Sequence, residues 1–176
     1  SWGERFGFGP YVPVAVRRAN AAAAARDAAK KGVTYEPVVI AGRAIATTHW
    51  GKAFGQHLEE HCDAYNRLER GRTYARNGSV VHLAIASGRG DALVMGSTLY
   101  EVRIDVVALP KVRWTRIQGR ASGQVASLLD LLAGRLPPGL MTELANPDEG
   151  LFPRNTEMHF RCSCPDGVSM CKHVAA

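Results

Sequence analysis

The strongest constraint on this chain lies in its last fifteen residues. Cys162-Ser163-Cys164 is followed after six residues by Cys171-Lys172-His173, a C-x-C-x6-C-x-H pattern. Thiolate sulfur and imidazole nitrogen are the ligands zinc prefers, and four of them close a tetrahedron. Residues two apart on an extended strand point to one side, so Cys162 and Cys164 can aim at one ion. On a regular helix such residues point roughly 200° apart, so Cys171 and His173 are expected at a turn or helix entry. Pro165-Asp166-Gly167 supplies the turn that brings the chain back. Three thiolates against a dication leave about −1 of charge, which Arg161 and Lys172 can offset. With all four positions filled by protein, the expectation is one structural zinc and no open position for a substrate. The alternative is three unrelated thiols near a histidine.

The fourth cysteine, Cys62, stands alone. Such uneven placement is unlike a disulfide framework and predicts reduced thiols or metal ligands.

Upstream, the pattern predicts an α+β fold with a small antiparallel meander. Residues 1–13 read as an extended arm. Val14 to Lys31 is rich in Ala, Arg and Lys, all strong helix formers, and stops at Gly32. Its thin alanine face suits either a solvated basic helix or a nucleic-acid arm. Val38–Ile40 and Ala44–Ala46 around Gly42 suggest a small hairpin. Thr47 or Thr48 caps a helix to about Asp63, with Trp50, Phe54 and Leu58 on its apolar face. Residues 64–78 read as an Arg-rich loop. Ser79–Ala86, Asp91–Met95 and Leu99–Leu109 are β-branched and separated by glycine-bearing breaks, hence the meander. Tyr100, Val102, Ile104 and Val106 should share one face, with Glu101, Arg103 and Asp105 on the other. Gln124–Leu132 reads as a short helix, Pro137-Pro138 as the start of another, and Glu157–Cys162 as a strand. This divides the chain into an arm and basic helix (1–33), an α+β domain (34–155) and a zinc finger (156–176). The chain opens at Ser1, without Met, and stops just past His173, so it reads as a fragment.

The C-x-C…C-x-H tail resembles the signature of the SWIM-type zinc finger family, found in bacterial proteins, Swi/Snf-related ATPases, MuDR-type transposases and kinase relatives. Pro37–Ile40, Thr47–Ala53, Gly71–Val80 and Gly150–Pro153 are similar to stretches of bacterial SWIM proteins associated with a Snf-type helicase-like ATPase. In that family the finger continues into an apolar helix; here it ends at Val174-Ala175-Ala176. The resemblance implies DNA or protein binding and no catalytic residues.

Charge points the same way. Lys and Arg total 22 against 16 Asp and Glu, a formal charge of +6 that favours polyanionic partners. Only Lys30, Lys31, Lys52, Lys111 and Lys172 are lysines; the Arg and Ala content suggests a GC-rich bacterial source. Arg67, Arg70, Arg72 and Arg76 surround Tyr74, so this stretch could hold phosphates and stack a base. It also fits a solvated loop packed over the sheet. Arg113, Arg116 and Arg120 fit one helical face, beside a Trp114 expected in the core. With Lys172, these nine residues are the candidate nucleic-acid contacts.

Other patterns carry less. His57-x-x-Glu60-His61 matches a zinc-peptidase pattern, but a third ligand and a cleft are missing, so a polar helix face is expected. Arg89-Gly90-Asp91 reads as a turn. Gly51-Lys52 lacks the rest of a phosphate loop. No run approaches the roughly 18 apolar residues of a membrane span. The resulting expectation is a cytoplasmic, non-enzymatic, zinc-binding adaptor for DNA or structured RNA, acting beside a helicase-like ATPase. It needs no membrane and no small-molecule substrate. The alternatives are a module that docks the ATPase by protein contact, and a ribosome- or RNA-binding factor.

Overall fold

The computed structural model describes residues 11–61, 65–122 and 137–176. They form helices α1 (Val14–Lys30), α2 (His49–His61), α3 (Tyr65–Arg76), α4 (Lys111–Ala121) and α5 (Pro138–Leu144). The strands are β1 (Val80–Ala86), β2 (Arg89–Met95), β3 (Leu99–Val106) and β4 (Met158–Cys162). The chain divides into two compact units. The first comprises Ser1–Ile45, Ala64–Val106 and His159–Ala176; the second comprises Ala46–Asp63 and Val107–Met158.

The sheet of the first unit is antiparallel, in the order β1-β2-β3-β4. The expected meander is present and gains a fourth strand: Ser163 N–H donates to the Glu101 carbonyl (3.0 Å), and Glu101 N–H donates to Ser163 Oγ (2.9 Å). Ser87 and Gly88 close the first hairpin, Gly88 at φ 69°, a conformation glycine adopts without steric cost. Alternation behaves as expected. Tyr100 and Val102 are buried, while Glu101 and Arg103 are exposed. On the outer face Arg89 pairs with Asp105 (3.1 Å) and Arg103 with Asp91 (2.8 Å), each directly across β2 and β3. Arg89-Gly90-Asp91 is therefore strand, not turn.

Helix α1 packs by its small face, as expected: Ala21 joins Val81 and Met95, with Tyr35 and Leu99 against them. It is not a uniformly solvated basic helix, because Arg17 is buried.

Two further expectations fail. The stretch read as an Arg-rich loop is helix α3. Arg, Leu, Glu and Ala are good helix formers, and Leu68, Gly71 and Ala75 make a buried stripe at helical spacing. The helix stops at Gly78, φ 67°. The hairpin expected around Gly42 is instead an extended segment along β1: Val38 N–H donates to the Val80 carbonyl (3.1 Å), and Leu83 N–H to the Glu36 carbonyl (3.0 Å). Pro37 lacks an N–H, so no regular ladder forms, yet the segment covers the edge of β1.

In the second unit, Thr48 Oγ1 accepts from Gly51 N–H (3.1 Å) and caps α2 as expected. Trp50, Phe54 and His57 gather around buried Phe152, at ring-centroid distances of 4.5, 5.2 and 5.4 Å. Pro137-Pro138 does open a short helix. The helix expected at Gln124–Leu132 and most of the arm expected at 1–13 lie outside the described residues. Among the described residues no helix is long and apolar enough to cross a membrane.

Candidate metal centre

β4 delivers Cys162 at its end, and the bend that follows carries Cys164. Cys171 and His173 sit in the last turn, where Ala175 N–H donates to the Cys171 carbonyl (3.0 Å). This is the turn geometry the spacing demanded. The three Sγ atoms and one imidazole nitrogen lie within 4.8 Å of one another and can hold one metal ion. Nδ1 of His173 faces the sulfurs, 3.8 Å from both Cys162 and Cys171. Ligand bonds of roughly 2.0–2.3 Å in a tetrahedron require neighbouring donors close to that separation. Cys171 and His173 are buried, Cys162 and Cys164 half-buried. A closed set of three sulfurs and one nitrogen suits zinc chemistry and leaves no ligand position for a substrate.

Burial governs the protonation of this cluster. It pushes the Cys162 thiol up to about 12 and also raises Cys164. It pushes His173 down to about 4, helped by the positive charges of Lys172, Arg17 and Arg70 and opposed by Asp166. Without a cation the shifts therefore favour the neutral forms of Cys162, Cys164 and His173.

The surroundings lock His173. Tyr100 lies against its ring at 4.5 Å and Tyr74 edge-on at 5.4 Å. A Cβ on Gly96 would come 2.7 Å from His173 Nε2 and 2.6 Å from the Tyr100 ring, so this position accepts only glycine. Gly71 of α3 is likewise covered by the backbone of Ala175. Arg67 reaches from α3 to Asp166 in the finger turn (2.8 Å). Arg17 of α1 lays its guanidinium 4.1 Å above the Tyr74 ring.

These groups border an open cavity of about 610 Å³. Arg17, Arg67, Arg70, Tyr74, Lys172 and His173 line it. Four of the nine candidate nucleic-acid contacts, Arg67, Arg70, Tyr74 and Lys172, thus meet beside the metal cluster. Of the other α3 residues, Arg72 pairs with Glu69 (2.9 Å), and Arg76 donates to the Arg43 carbonyl (2.8 Å). The second basic stretch belongs to the other unit and is largely occupied with carboxylates. Arg113 is buried and paired with Glu157 (2.9 Å). Arg116 pairs with Glu149 and Arg120 with Glu143. Trp114, expected in the core, is 45% exposed, because Arg113 and Ile117 form the buried face of α4.

His57 is not on a polar face either. It is buried, with Nε2 3.0 Å from the Pro153 carbonyl. The Cys/His cluster is the single group of candidate metal ligands among the described residues. Sequence reasoning missed Arg17, Asp166 and Gly96. The first looked like any other cation of an Ala-rich helix; the other two looked like turn residues.

No family model matches the chain. It is 38% identical over 136 residues to the uncharacterized protein Rv2102 of Mycobacterium tuberculosis, an overlap of 76% of this chain and 49% of that protein. The chain thus spans about half the length of this curated relative. No solved structure matches.

Proposed function

We propose that this protein is a non-enzymatic, zinc-stabilised nucleic-acid-binding module of the SWIM finger type, working beside a helicase-like ATPase in a reducing, cytoplasmic compartment. The observation that carries the reading is the gathering of Arg17, Arg67, Arg70 and Lys172 around one cavity at the metal cluster. Only Arg67 meets a carboxylate there; among the described residues Arg17, Arg70 and Lys172 make no ion pair. Like charges held close together destabilise a fold, so an anionic partner is the natural counterpart. Zinc would join β4 to the last turn and so hold Lys172 and His173 against α3 and α1. Arg suits the work because its planar fork matches phosphate oxygens. Reduced thiols are needed for this ligand set, consistent with the proposed compartment.

The test is binding of the zinc-loaded chain to duplex DNA, single-stranded DNA and a folded RNA over a salt series. Saturable binding with a steep negative dependence on salt is expected, and the ranking names the preferred form. No binding to any of the three at low salt would overturn the reading.

A second reading, a protein-docking module for the ATPase, draws on α4. Its arginines meet acids, while Val112 and Trp114 remain 68% and 45% exposed. Such a surface, apolar and neutralised, suits a protein contact better than a phosphate one. Salt-insensitive capture of the ATPase would favour it.

A further inference from the structure

A second cavity of the first unit, about 560 Å³, lies between α1 and the extended segment that follows it. Ala22, Ala25 and Ala29 of α1 line one side, and Val33, Val38 and Val39 line the other. Its rim is apolar and uncovered: Val39 is 81% exposed and Val33 51%. Exposed apolar surface gathered at a groove marks a contact site. Two charged residues also line the groove, Arg18 and Arg76, and no carboxylate among the described residues does. We propose that this groove docks an apolar peptide segment of a partner protein, carrying an Asp or Glu that meets Arg18 and Arg76.

Charge complementarity selects the occupant. Arg18 donates from Nε to the Asn77 carbonyl (3.0 Å), and Arg76 from Nε to the Arg43 carbonyl (2.8 Å). Each guanidinium is thus held by its inner nitrogen, which orients the outer fork, and neither makes an ion pair among the described residues. Such forks match a carboxylate. Arg18 stands one helical turn before Ala22, and Ala25 and Ala29 continue the same side of α1 away from it. The acid of the occupant therefore belongs at one end of its apolar stretch. Because Val39 stands at the surface, the occupant lies across the groove, as a peptide does. A second copy of this chain fits poorly, since a formal charge of +6 would meet these arginines with its own sign. A nucleic-acid backbone would match the arginines but leave Val33 and Val39 without apolar cover. None of these residues lines the cavity at the metal cluster, so the inference stands apart from the nucleic-acid reading.

The test pans the zinc-loaded full chain against a random peptide library displayed on phage. Enriched sequences are expected to place Asp or Glu at one end of an apolar run. A synthetic copy of the enriched peptide should shift the NMR amide resonances of Ala22, Ala25, Val33 and Val39. Arg18→Gln and Arg76→Gln should each weaken that peptide about tenfold, because each removes a charge-assisted pair. Ala22→Glu and Val39→Asp put a carboxylate into the groove and should abolish binding. Both positions are exposed, so the melting temperature should hold and the loss can be read as loss of the site. A library that enriches nothing, enriched peptides without an acid, or a peptide that binds Ala22→Glu and Val39→Asp unchanged would overturn the proposal. So would groove resonances that respond to protein concentration or to a single-stranded oligonucleotide and not to the peptide, which would assign this face to a second copy or to nucleic acid.

Discussion

Arg67 on α3 donates to Asp166 in the finger turn at 2.8 Å, and the Asp166 side chain is only 8% exposed. The turn between the Cys162/Cys164 and Cys171/His173 pairs is thus anchored to a helix almost a hundred residues earlier in the chain. A charge-assisted hydrogen bond of this kind contributes about 1–3 kcal/mol. Asp166→Asn should lower the unfolding free energy of the zinc-loaded chain by about that amount, read from the denaturant midpoint. It should also speed zinc loss to a chelator, because the turn carrying Cys164 loses its tie.

Gly71 gives a sharper test of how the finger docks. Alanine in an exposed helix interior is favoured over glycine by about 1 kcal/mol. Here the new methyl group would run into the Ala175 backbone, and backbone cannot swing aside as a side chain can. Overpacking of this sort costs about 1–3 kcal/mol, so the clash outweighs the propensity gain. Gly71→Ala is expected to lower the melting temperature of the zinc-loaded chain. A raised one would show that the last turn does not pack on α3.

The pH response of the metal-free chain has a definite sign. Burial, then the charges of Lys172, Arg17 and Arg70, push His173 from 6.5 down to about 4. Between these values the unfolded imidazole takes up a proton that the folded one refuses. Stability should therefore fall as pH drops from 6.5 to 4. Burial lifts Cys162 from 9.0 to about 12, so stability should also fall as pH rises from 9.0 to 12, where the unfolded thiol loses its proton first. Zinc uptake at neutral pH should release protons from Cys162 and Cys164. Calorimetry in buffers of different ionisation enthalpy reads that release directly.

Arg113 and Arg70 separate structure from binding. Arg113 and Glu157 have side-chain exposures of 9% and 17%. Arg113→Ala leaves a largely buried carboxylate without its partner and should destabilise the fold by about 2–3 kcal/mol. Its affinity for nucleic acid should be unchanged. Arg70→Ala should do the reverse, keeping the melting temperature and weakening binding with a shallower salt dependence.

Legibility in the sequence followed the range of the interactions. The metal ligands could be read because their spacing is local and their chemistry is specific. The meander could be read because β-branched residues alternate in Leu99–Val106 and glycines mark its turns. Helix α3 could not, because Gly71 and four arginines resemble a loop until Ala175 is seen against that glycine. Basic residues could not be sorted either. Arg17, Arg113 and Arg70 look alike in the chain, yet one lies on Tyr74, one on Glu157 and one at an open cavity. Their partners sit 57 and 44 residues away for the first two, beyond the reach of any local pattern.

A bound metal is the premise of the proposed function. The most direct measurement is elemental analysis of protein purified without chelators, joined to zinc-edge X-ray absorption on the same sample. One zinc per chain is expected, held by three sulfurs at about 2.3 Å and one nitrogen, and Cys171→Ser should abolish that stoichiometry. Protein that folds with no bound metal, or with a disulfide among Cys162, Cys164 and Cys171, would contradict it.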